Sequence, residues 1–157
     1  MIDFRELRED ELSQLMAQNI QTLADGYARA RNVEPEYLRA FFERQVASLV
    51  REAWGSKDNH FLAIVECDAQ DVVGSLWYRL HEEGVLSDLA FLCWLGIYDG
   101  YRGRGYGRAA LGKWIENMKA QGIKRAALEA FSERDPAMNL YQSFGFSSVR
   151  VLLHRFL

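Results

Sequence analysis

The sequence predicts a mixed fold, α/β or α+β, and three observations support that prediction. The hydrophobic pattern of the first half is mostly helical, and it changes to short apolar runs near residue 61. From residue 89 the order becomes strand, helix, strand, helix, strand. The chain has 157 residues, 49% hydrophobic and 26% charged, which is the size and composition of one soluble globular domain over 1–157.

Charge and composition exclude several classes of protein. The net charge of −3 is unlike that of the strongly basic domains that bind nucleic acid through its phosphates. Two cysteines imply no disulfide framework. No apolar run approaches the roughly 20 residues of a membrane span, and the N-terminus carries no signal-peptide pattern. We therefore expect a cytoplasmic protein that binds neither nucleic acid nor membrane.

Two helices are predicted in the first half. Apolar residues recur at helical spacing from about residue 10 to 24, and we expect Asp25 and Gly26 to interrupt that helix. A second helix is predicted after Pro35. Its predicted apolar face consists of Leu38, Phe41, Phe42, Gln45 and Leu49.

Strands are predicted after the periodicity of the hydrophobic residues changes near residue 61. Residues 61–65 and 72–78 are predicted strands joined by a turn at 69–71. Residues 89–97 are apolar except for Gly96, which predicts a central strand buried on both faces. A glycine inside a strand often marks a bulge or a close approach of a ligand, so we expect one of these at Gly96.

A third helix is predicted from Gly105 to about Gln121. Its apolar residues follow the i, i+3, i+4, i+7 spacing of one helical face: Leu111, Trp114, Ile115 and Met118. Gly122 stands where a C-terminal cap belongs.

The last elements are predicted from short signals. A strand is expected over about 124–131, followed by a short helix with Asp135 as N-cap and Pro136 at its first position. Gly145 follows the end of that helix, and residues 149–156 are predicted to form a closing strand.

The densest functional signal is the turn over residues 101–108, YRGRGYGR, between a buried strand and a helix. Its three glycines let the backbone turn tightly and let an anion approach the amides at the helix N-terminus. Three arginines crowd the same helix end, where each cation is unfavourable by about 0.3–1 kcal/mol. A phosphate cradle explains this arrangement better than a flexible turn with solvated arginines.

Two other phosphate motifs match only loosely. Residues 107–113 have the G-x-x-x-x-G-K spacing, but Trp114 replaces the required Ser or Thr and the match lies inside a helix. Gly105-x-Gly107-x-x-Ala110, with Glu129 about 20 residues on, fits a dinucleotide fingerprint. Only about 50 residues follow, too few for the rest of a doubly wound sheet, but a dinucleotide-binding oxidoreductase fragment remains an alternative.

The segment 95–111 resembles motif A of the GNAT acyltransferases, Q/R-x-x-G-x-G/A, met here by Arg102, Gly105 and Gly107. Asp99 stands where a proline is common in that family.

Residues 137–146, AMNLYQSFGF, resemble motif B of the same family, A-x-x-L-Y-x-x-x-G-F. Arg134 replaces the asparagine usual three residues before that motif's alanine. The resemblance implies a GNAT-like mixed, mainly antiparallel central sheet flanked by helices. It also implies the order strand, two helices, two strands before motif A, and a splayed strand pair that admits the cosubstrate.

The resemblance implies acetyl-coenzyme A as acetyl donor, with no metal. Its pyrophosphate would meet the backbone amides of Arg102, Gly103, Arg104, Gly105, Tyr106, Gly107 and Arg108. The strand before the turn would carry a bulge, and the N–H of Ile97 would face the thioester carbonyl, where it could stabilise an oxyanion.

Acetyl transfer to an amine requires a base for the amine and an acid for the departing thiolate. The resemblance makes Tyr141 the candidate acid; packing in the core is its alternative role. Glu129 is the candidate base, because it lies in an otherwise apolar strand where burial would raise its pKa. The resemblance supports it, since some family members carry a base at the corresponding position, twelve residues before that tyrosine. A position on an exposed strand face is its alternative, and Asp88 and Glu83 are weaker candidates.

The remaining conspicuous residues are given ordinary roles. The three histidines lack metal-ligand spacing, and we expect Cys67 and Cys93 in strands as packing residues. Trp77 and Trp94 are expected in the core. Tyr27, Arg29 and Arg31 lie in the predicted segment between the first two helices, which borders the acceptor site in the GNAT family; solvated charge is their simpler interpretation.

The expected function is direct transfer of acetyl from acetyl-coenzyme A to a primary amine, without a covalent enzyme intermediate. A non-catalytic coenzyme A-binding regulatory module is the second alternative. The acceptor, a small molecule or a peptide, is not identified by the sequence. A homodimer is a candidate assembly because the family often forms one.

Overall fold

One sheet of five strands organises the protein, as seen in a computed structural model that describes residues 1–31, 34–80, 88–130 and 137–149. The strands lie in chain order across the sheet: β1 Ile2–Glu6, β2 Asn59–Glu66, β3 Val72–Leu80, β4 Leu89–Ile97 and β5 Arg125–Leu128. The first four are antiparallel neighbours, and only β5 pairs parallel, with β4. The mixed, mainly antiparallel sheet is confirmed, and a doubly wound parallel sheet, which a dinucleotide-binding fragment needs, is excluded.

Four α-helices are described: α1 Leu12–Arg31, α2 Pro35–Ala53, α3 Tyr106–Ala120 and α4 Met138–Ser143. The predicted break at Asp25 and Gly26 is wrong, because α1 continues through both residues. Gly26 is buried there between Ala24 and Ala28, also buried. Such small residues let helices pack closely, and α1 packs on α2, so tertiary contacts outweigh the low helix propensity of glycine. None of the helices in the described residues is long and apolar enough to cross a membrane.

The buried face of α2 differs from the predicted one. Its buried residues are Phe42, Val46, Val50 and Ala53. Phe41 and Leu49, predicted on that face, are 49% and 54% exposed. The error arises because the two phenylalanines are adjacent, and only the stripe beginning at Phe42 faces the sheet.

Two apolar clusters cover the two faces of the sheet. The first cluster joins α1 and α2 to inward residues of β2 and β3 such as Phe61 and Trp77. The second joins α3 and α4 to residues of the opposite face, including Leu76 and Leu92. Trp114 of α3 is fully buried in the second cluster, and replacing it with alanine would cost about 3–5 kcal/mol.

Within the described residues, strand β4 pairs with β5 only over the first half of its length. Leu89 to Leu92 pair with Arg125 to Leu128, and no described residue of β5 continues the ladder. The predicted bounds of β4 are confirmed, but its predicted burial on both faces is wrong, because only Ala90 and Leu92 are buried and its other residues are partly buried. Strand β5 ends at Leu128, earlier than predicted.

The ends of α3 agree with the sequence. Gly105 is its N-cap, and Gly122 follows with φ 80° while its N–H donates to the carbonyl of Lys119 at 2.9 Å. Gly145 follows α4 with φ 86°. Asp135, Pro136, Arg134 and nearly all of the predicted strand over 149–156 lie outside the described residues.

Candidate active site

The turn between β4 and α3 has an open, glycine-shaped backbone. A single 3-10 turn, Asp99–Tyr101, leads into Gly103 and Gly105, whose φ angles are 74° and 84°. A methyl group built on either glycine would meet no atom within 4 Å. The glycines are therefore needed for the left-handed backbone, and the space in front of them is available to a ligand.

The start of α3 presents unbonded amides to that space. Ala109 donates to the carbonyl of Gly105 at 3.0 Å, as the first residue of the helix with an intrahelical acceptor. The N–H groups of Tyr106, Gly107 and Arg108 precede it and have no carbonyl one turn back. Together with the helix dipole they favour an anion, so the turn is suited to bind a group such as a diphosphate.

The arginines of this turn are less in conflict with the helix than the sequence suggested. The Nη2 of Arg102 lies 3.1 Å from the carboxylate of Asp99, which offsets its charge. The guanidinium of Arg104 lies 5.6 Å from the ring centre of Tyr101, and that of Arg108 lies 5.5 Å from the ring centre of Phe144. All three arginines are exposed.

Beyond Leu92, one edge of β4 pairs with no strand among the described residues, and we call it the open edge. The N–H of Tyr98 donates to the carbonyl of Val73 at 2.9 Å, so the backbone groups of Tyr98 point toward β3. Because antiparallel residues alternate, the backbone groups of Ile97 and Leu95 point the other way, toward the side that β5 leaves. The amide of Leu95 was missed by the sequence analysis, although alternation from Ile97 could have found it.

The carbonyl of Ile97 is held by two distant side chains. It accepts a hydrogen bond from Nε2 of Gln18 in α1 at 2.9 Å and one from Nε of Arg102 at 3.0 Å. These two bonds occupy the carbonyl at the end of the open edge. No local motif indicates Gln18, because it lies 79 residues from Ile97 in sequence.

The β-bulge of β4 is at Cys93, so the expected position at Gly96 is wrong. Trp77 pairs with Trp94 and Tyr78 with Leu92, which leaves Cys93 as the extra residue. Gly96 instead makes room for a neighbouring side chain, since a Cβ there would lie 2.3 Å from the ring of Trp94. The atoms that approach Gly96 closely therefore belong to the protein's own Trp94 and not to a ligand.

The thiol of Cys93 is unreactive, although Cys93 lies where the pairing of β4 with β5 ends. Burial raises the pKa of its thiol to about 11, with a smaller contribution from the charge of Glu129. At neutral pH the thiol is therefore protonated. Cys67, expected in a strand, lies just after β2 instead.

Tyr141 lies in α4 and packs against the second cluster, which also holds Leu95 and Ile97. Its ring centre is 6.2 Å from that of Phe146, and its side chain is partly buried. The structure thus places the predicted acid on the face of the sheet that carries α3 and the glycine turn.

Glu129 directly follows the last residue of β5 and is exposed, so the expected burial is wrong. Leu128 pairs with Leu92, so Glu129 follows β5 at the level of the bulge at Cys93. Asp88 lies before β4, roughly 30 Å from Ile97 at 3.3 Å per strand residue. The Nε of Arg125 donates to Asp88 at 2.8 Å and holds the pKa of that carboxyl below its usual value. Glu83 lies outside the described residues.

The other residues singled out in the sequence mainly pack against neighbouring side chains or are exposed. Tyr27 is part of α1 rather than of a connecting segment, and its ring centre is 5.0 Å from that of Phe42. Arg29 is exposed in the same helix. Trp77 is buried as expected, and Trp94 is partly buried with its indole N–H donating to Ser75 at 3.1 Å. The side chain of Arg31 and residues His81 and His154 lie outside the description.

The chain is similar to proteins of one family. Residues 21–146 match the Acetyltransferase (GNAT) family. An uncharacterized N-acetyltransferase of Bacillus subtilis, YycN, is 30% identical over 62% of each chain, so the match spans about three fifths of that relative's length. The crystal structure of YycN superposes with a TM-score of 0.86 at 23% identity, covering 100% of this chain and 99% of that one.

A more distant structure extends the likeness in fold. The PaiA N-acetyltransferase of Thermoplasma acidophilum, solved in complex with coenzyme A, has a TM-score of 0.67 at 18% identity, over 94% of this chain and 90% of that one. The sheet, the glycine turn and the family match agree over most of the described residues. The chain belongs to the acetyltransferase (GNAT) family.

Proposed function

We propose that this protein transfers the acetyl group of acetyl-coenzyme A to a primary amine by direct attack. The observation that carries the proposal is the junction of the glycine turn with the open edge of β4. Amides at the start of α3 face an open space, and the N–H groups of Leu95 and Ile97 continue from it along an unpaired strand edge. A ligand with a diphosphate and an extended amide-containing arm matches both parts.

The chain's own groups would act in a definite order. Acetyl-coenzyme A, when bound, supplies the acetyl group as an activated thioester. The N–H of Ile97 donates to the thioester oxygen and stabilises the negative charge that develops there. The open edge fixes the arm in an extended conformation, so that the carbonyl carbon is presented in one orientation.

Two side chains would manage the protons. Glu129 accepts a proton from the acceptor ammonium, directly or through water, and the free amine then attacks the acetyl carbon. The nitrogen of the resulting tetrahedral intermediate loses its second proton to water. The Tyr141 hydroxyl donates a proton to the sulfur as the carbon–sulfur bond breaks. Cys93, with its thiol pKa at about 11, is a poor nucleophile, which supports direct attack rather than an acetylated enzyme.

The fold neighbour solved with coenzyme A supports this choice of ligand. The test is calorimetric titration of the protein with coenzyme A and with NAD, followed by thiol release from acetyl-coenzyme A across a library of primary amines. We expect coenzyme A to bind and NAD not to bind. At least one amine should raise the rate of thiol release well above the rate of thioester hydrolysis without amine. Binding without amine-dependent release would indicate a regulatory module, and absence of coenzyme A binding would refute the site.

A further inference from the structure

The open edge ends at a carbonyl group that the protein itself occupies. Because the N–H of Tyr98 donates to Val73 in β3, the N–H and the carbonyl of Ile97 both point to the opposite, open side. The oxygen of Ile97 accepts one hydrogen bond from Nε2 of Gln18 at 2.9 Å and another from Nε of Arg102 at 3.0 Å. A carbonyl oxygen has two lone pairs, so these two donors use its full capacity.

Packing does not account for a glutamine at position 18. The side chain of Gln18 is partly buried between α1 and β4, and a Cβ on Gly96 would lie 2.8 Å from its Oε1. That oxygen is buried and has no hydrogen-bond partner among the residues that the structure describes. A buried polar atom without a partner lowers stability, and a methionine of similar shape would avoid this cost. The contact that requires an amide here is therefore the hydrogen bond from Nε2 to Ile97.

The two donors reach the oxygen of Ile97 from different parts of the fold. Arg102 belongs to the turn before α3, is largely exposed, and also pairs with Asp99. Gln18 belongs to α1, which covers the face of the sheet opposite α3. Neither donor can therefore take the place of the other. If the bond from Gln18 is lost, one lone pair of Ile97 becomes available to a ligand on the open edge.

An arm that carries amide groups has two possible registers on this edge. Carbonyl groups on one side of a strand recur at every second residue, so the carbonyls of Leu95 and Ile97 are about 6.7 Å apart at roughly 3.3–3.4 Å per residue. An amide N–H of the arm could donate to either of them. While the carbonyl of Ile97 is occupied, that of Leu95 is the one that stays available. A shift to the other register would carry the thioester away from the N–H of Ile97.

We propose that Gln18 is a positioning residue: by occupying the carbonyl of Ile97, it restricts the amide-containing arm of acetyl-coenzyme A to the register in which the thioester meets the N–H of Ile97. This inference rests on the proposed function. Gln18 acts through Ile97 and not on the reacting atoms. Without it the arm also binds in the shifted register, where no transfer occurs. Such unproductive binding lowers kcat and KM by the same factor and leaves kcat/KM unchanged, unlike the loss of a catalytic contact.

The test compares Gln18→Met with the matched control Gln14→Met, one turn earlier in α1 and exposed. Steady-state kinetics with varied acetyl-coenzyme A and a saturating amine are measured for both variants and the wild type, together with melting temperatures. We expect Gln18→Met to lower kcat and KM for acetyl-coenzyme A by about fivefold each, with kcat/KM within about twofold of the wild type. Its melting temperature should equal or exceed that of the wild type. Gln14→Met should match the wild type in every measurement.

Gln18→Glu tests the donor itself and keeps a polar side chain of the same shape. A protonated carboxyl can donate to the carbonyl of Ile97, whereas a carboxylate can only accept. The kcat of this variant is divided by that of the wild type at each pH, so that titration of groups present in both proteins cancels. We expect the ratio to be near 1 at about pH 5 and to fall to about 0.2 at about pH 8.

Three results would overturn the assignment. Unchanged kcat and KM in Gln18→Met would show that the register of the arm does not depend on Gln18. A fall in kcat with KM unchanged or raised would mean that no unproductive register is populated. A ratio for Gln18→Glu that does not vary with pH would remove the hydrogen-bond donor from the explanation. In all three cases acetyl transfer by the wild type stands, whereas a folded wild type that does not bind coenzyme A would defeat both proposals.

Discussion

The two halves of β4 differ in how their backbone is satisfied. Leu89 to Leu92 are paired with β3 on one side and β5 on the other. From Trp94 to Ile97 only the β3 side is paired within the described residues. Unpaired strand edges are costly or prone to association unless something covers them. Under the proposed function, the open half of β4 binds the extended arm of the ligand, while the closed half is scaffold.

The change from one half to the other occurs at identifiable residues. The bulge at Cys93 inserts one residue opposite β3, which bends β4. On the other side β5 ends at Leu128, and Glu129 no longer pairs. Scaffold and site thus meet at one level of the sheet, and substitutions can be placed on either side of it.

The largest effect is expected from Gly105→Asp. A carboxylate there would occupy the space in front of the α3 amides and repel a diphosphate, so coenzyme A affinity should fall by more than 100-fold in a calorimetric titration. The matched control is Gly122→Asp at the other end of α3, where φ is 80° and the space is equally open. It should lower the melting temperature in a similar way and leave binding unchanged. Equal affinity in both variants would show that the turn does not bind the phosphates.

Tyr141→Phe is expected to reduce kcat by about 100-fold, with little change in KM for acetyl-coenzyme A, because only proton donation is lost. Tyr78→Phe is the control, since Tyr78 is buried in the same cluster but belongs to β3. Steady-state kinetics of both variants with a reactive amine decide the matter. A loss smaller than threefold in Tyr141→Phe would leave the tyrosine with a packing role only.

Glu129→Gln is expected to lower kcat/KM by about tenfold at pH 7, a modest effect because an exposed carboxylate competes with water as the base. The loss should shrink as pH rises, since more of the acceptor is then free amine without help. Glu116→Gln removes an exposed carboxylate of α3 and should change neither rate nor pH profile. A loss for Glu129→Gln that stays constant with pH would indicate that the charge binds the acceptor instead.

The smallest effect is expected from Cys93→Ala. With the thiol pKa at about 11, about one thiol in 10⁴ is ionised at pH 7, so kcat should remain within threefold of the wild type. The free energy of unfolding should fall by about 1 kcal/mol because the bulge residue packs against the first cluster. A tenfold loss of kcat, together with an acetylated cysteine in the mass spectrum of the wild type, would replace direct attack by a covalent route.

Local patterns predicted those parts of the fold that local forces determine. The bounds of β4, the start of α3 at Gly105 and the cap at Gly122 follow from period and from glycine conformation. The continuation of α1 through Gly26 and the buried face of α2 were missed, since both depend on packing between helices.

The candidate site shows the same division. The glycine turn could be recognised from its composition, because left-handed backbone and exposed amides need glycine at fixed positions. The bulge at Cys93, the bond from Gln18 to Ile97 and the exposure of Glu129 depend on which strand and helix lie alongside. No spacing within a single element contains that information.

The parallel pairing of β5 also has a consequence for how the sheet assembles. Strands β1 to β4 are antiparallel neighbours, and β3 follows β2 through a short turn, but β5 reaches β4 only after the crossover through α3. Contacts separated by a long crossover form late and at a larger entropic cost, and here only four residue pairs reward it. A ligand that fills the gap adds interactions at this weak seam, so by mass action the thermal stability of the protein should rise with ligand concentration. Ligand binding at the incomplete part of the sheet would thus couple the β4–β5 pairing to the rest of the fold and make unfolding more cooperative.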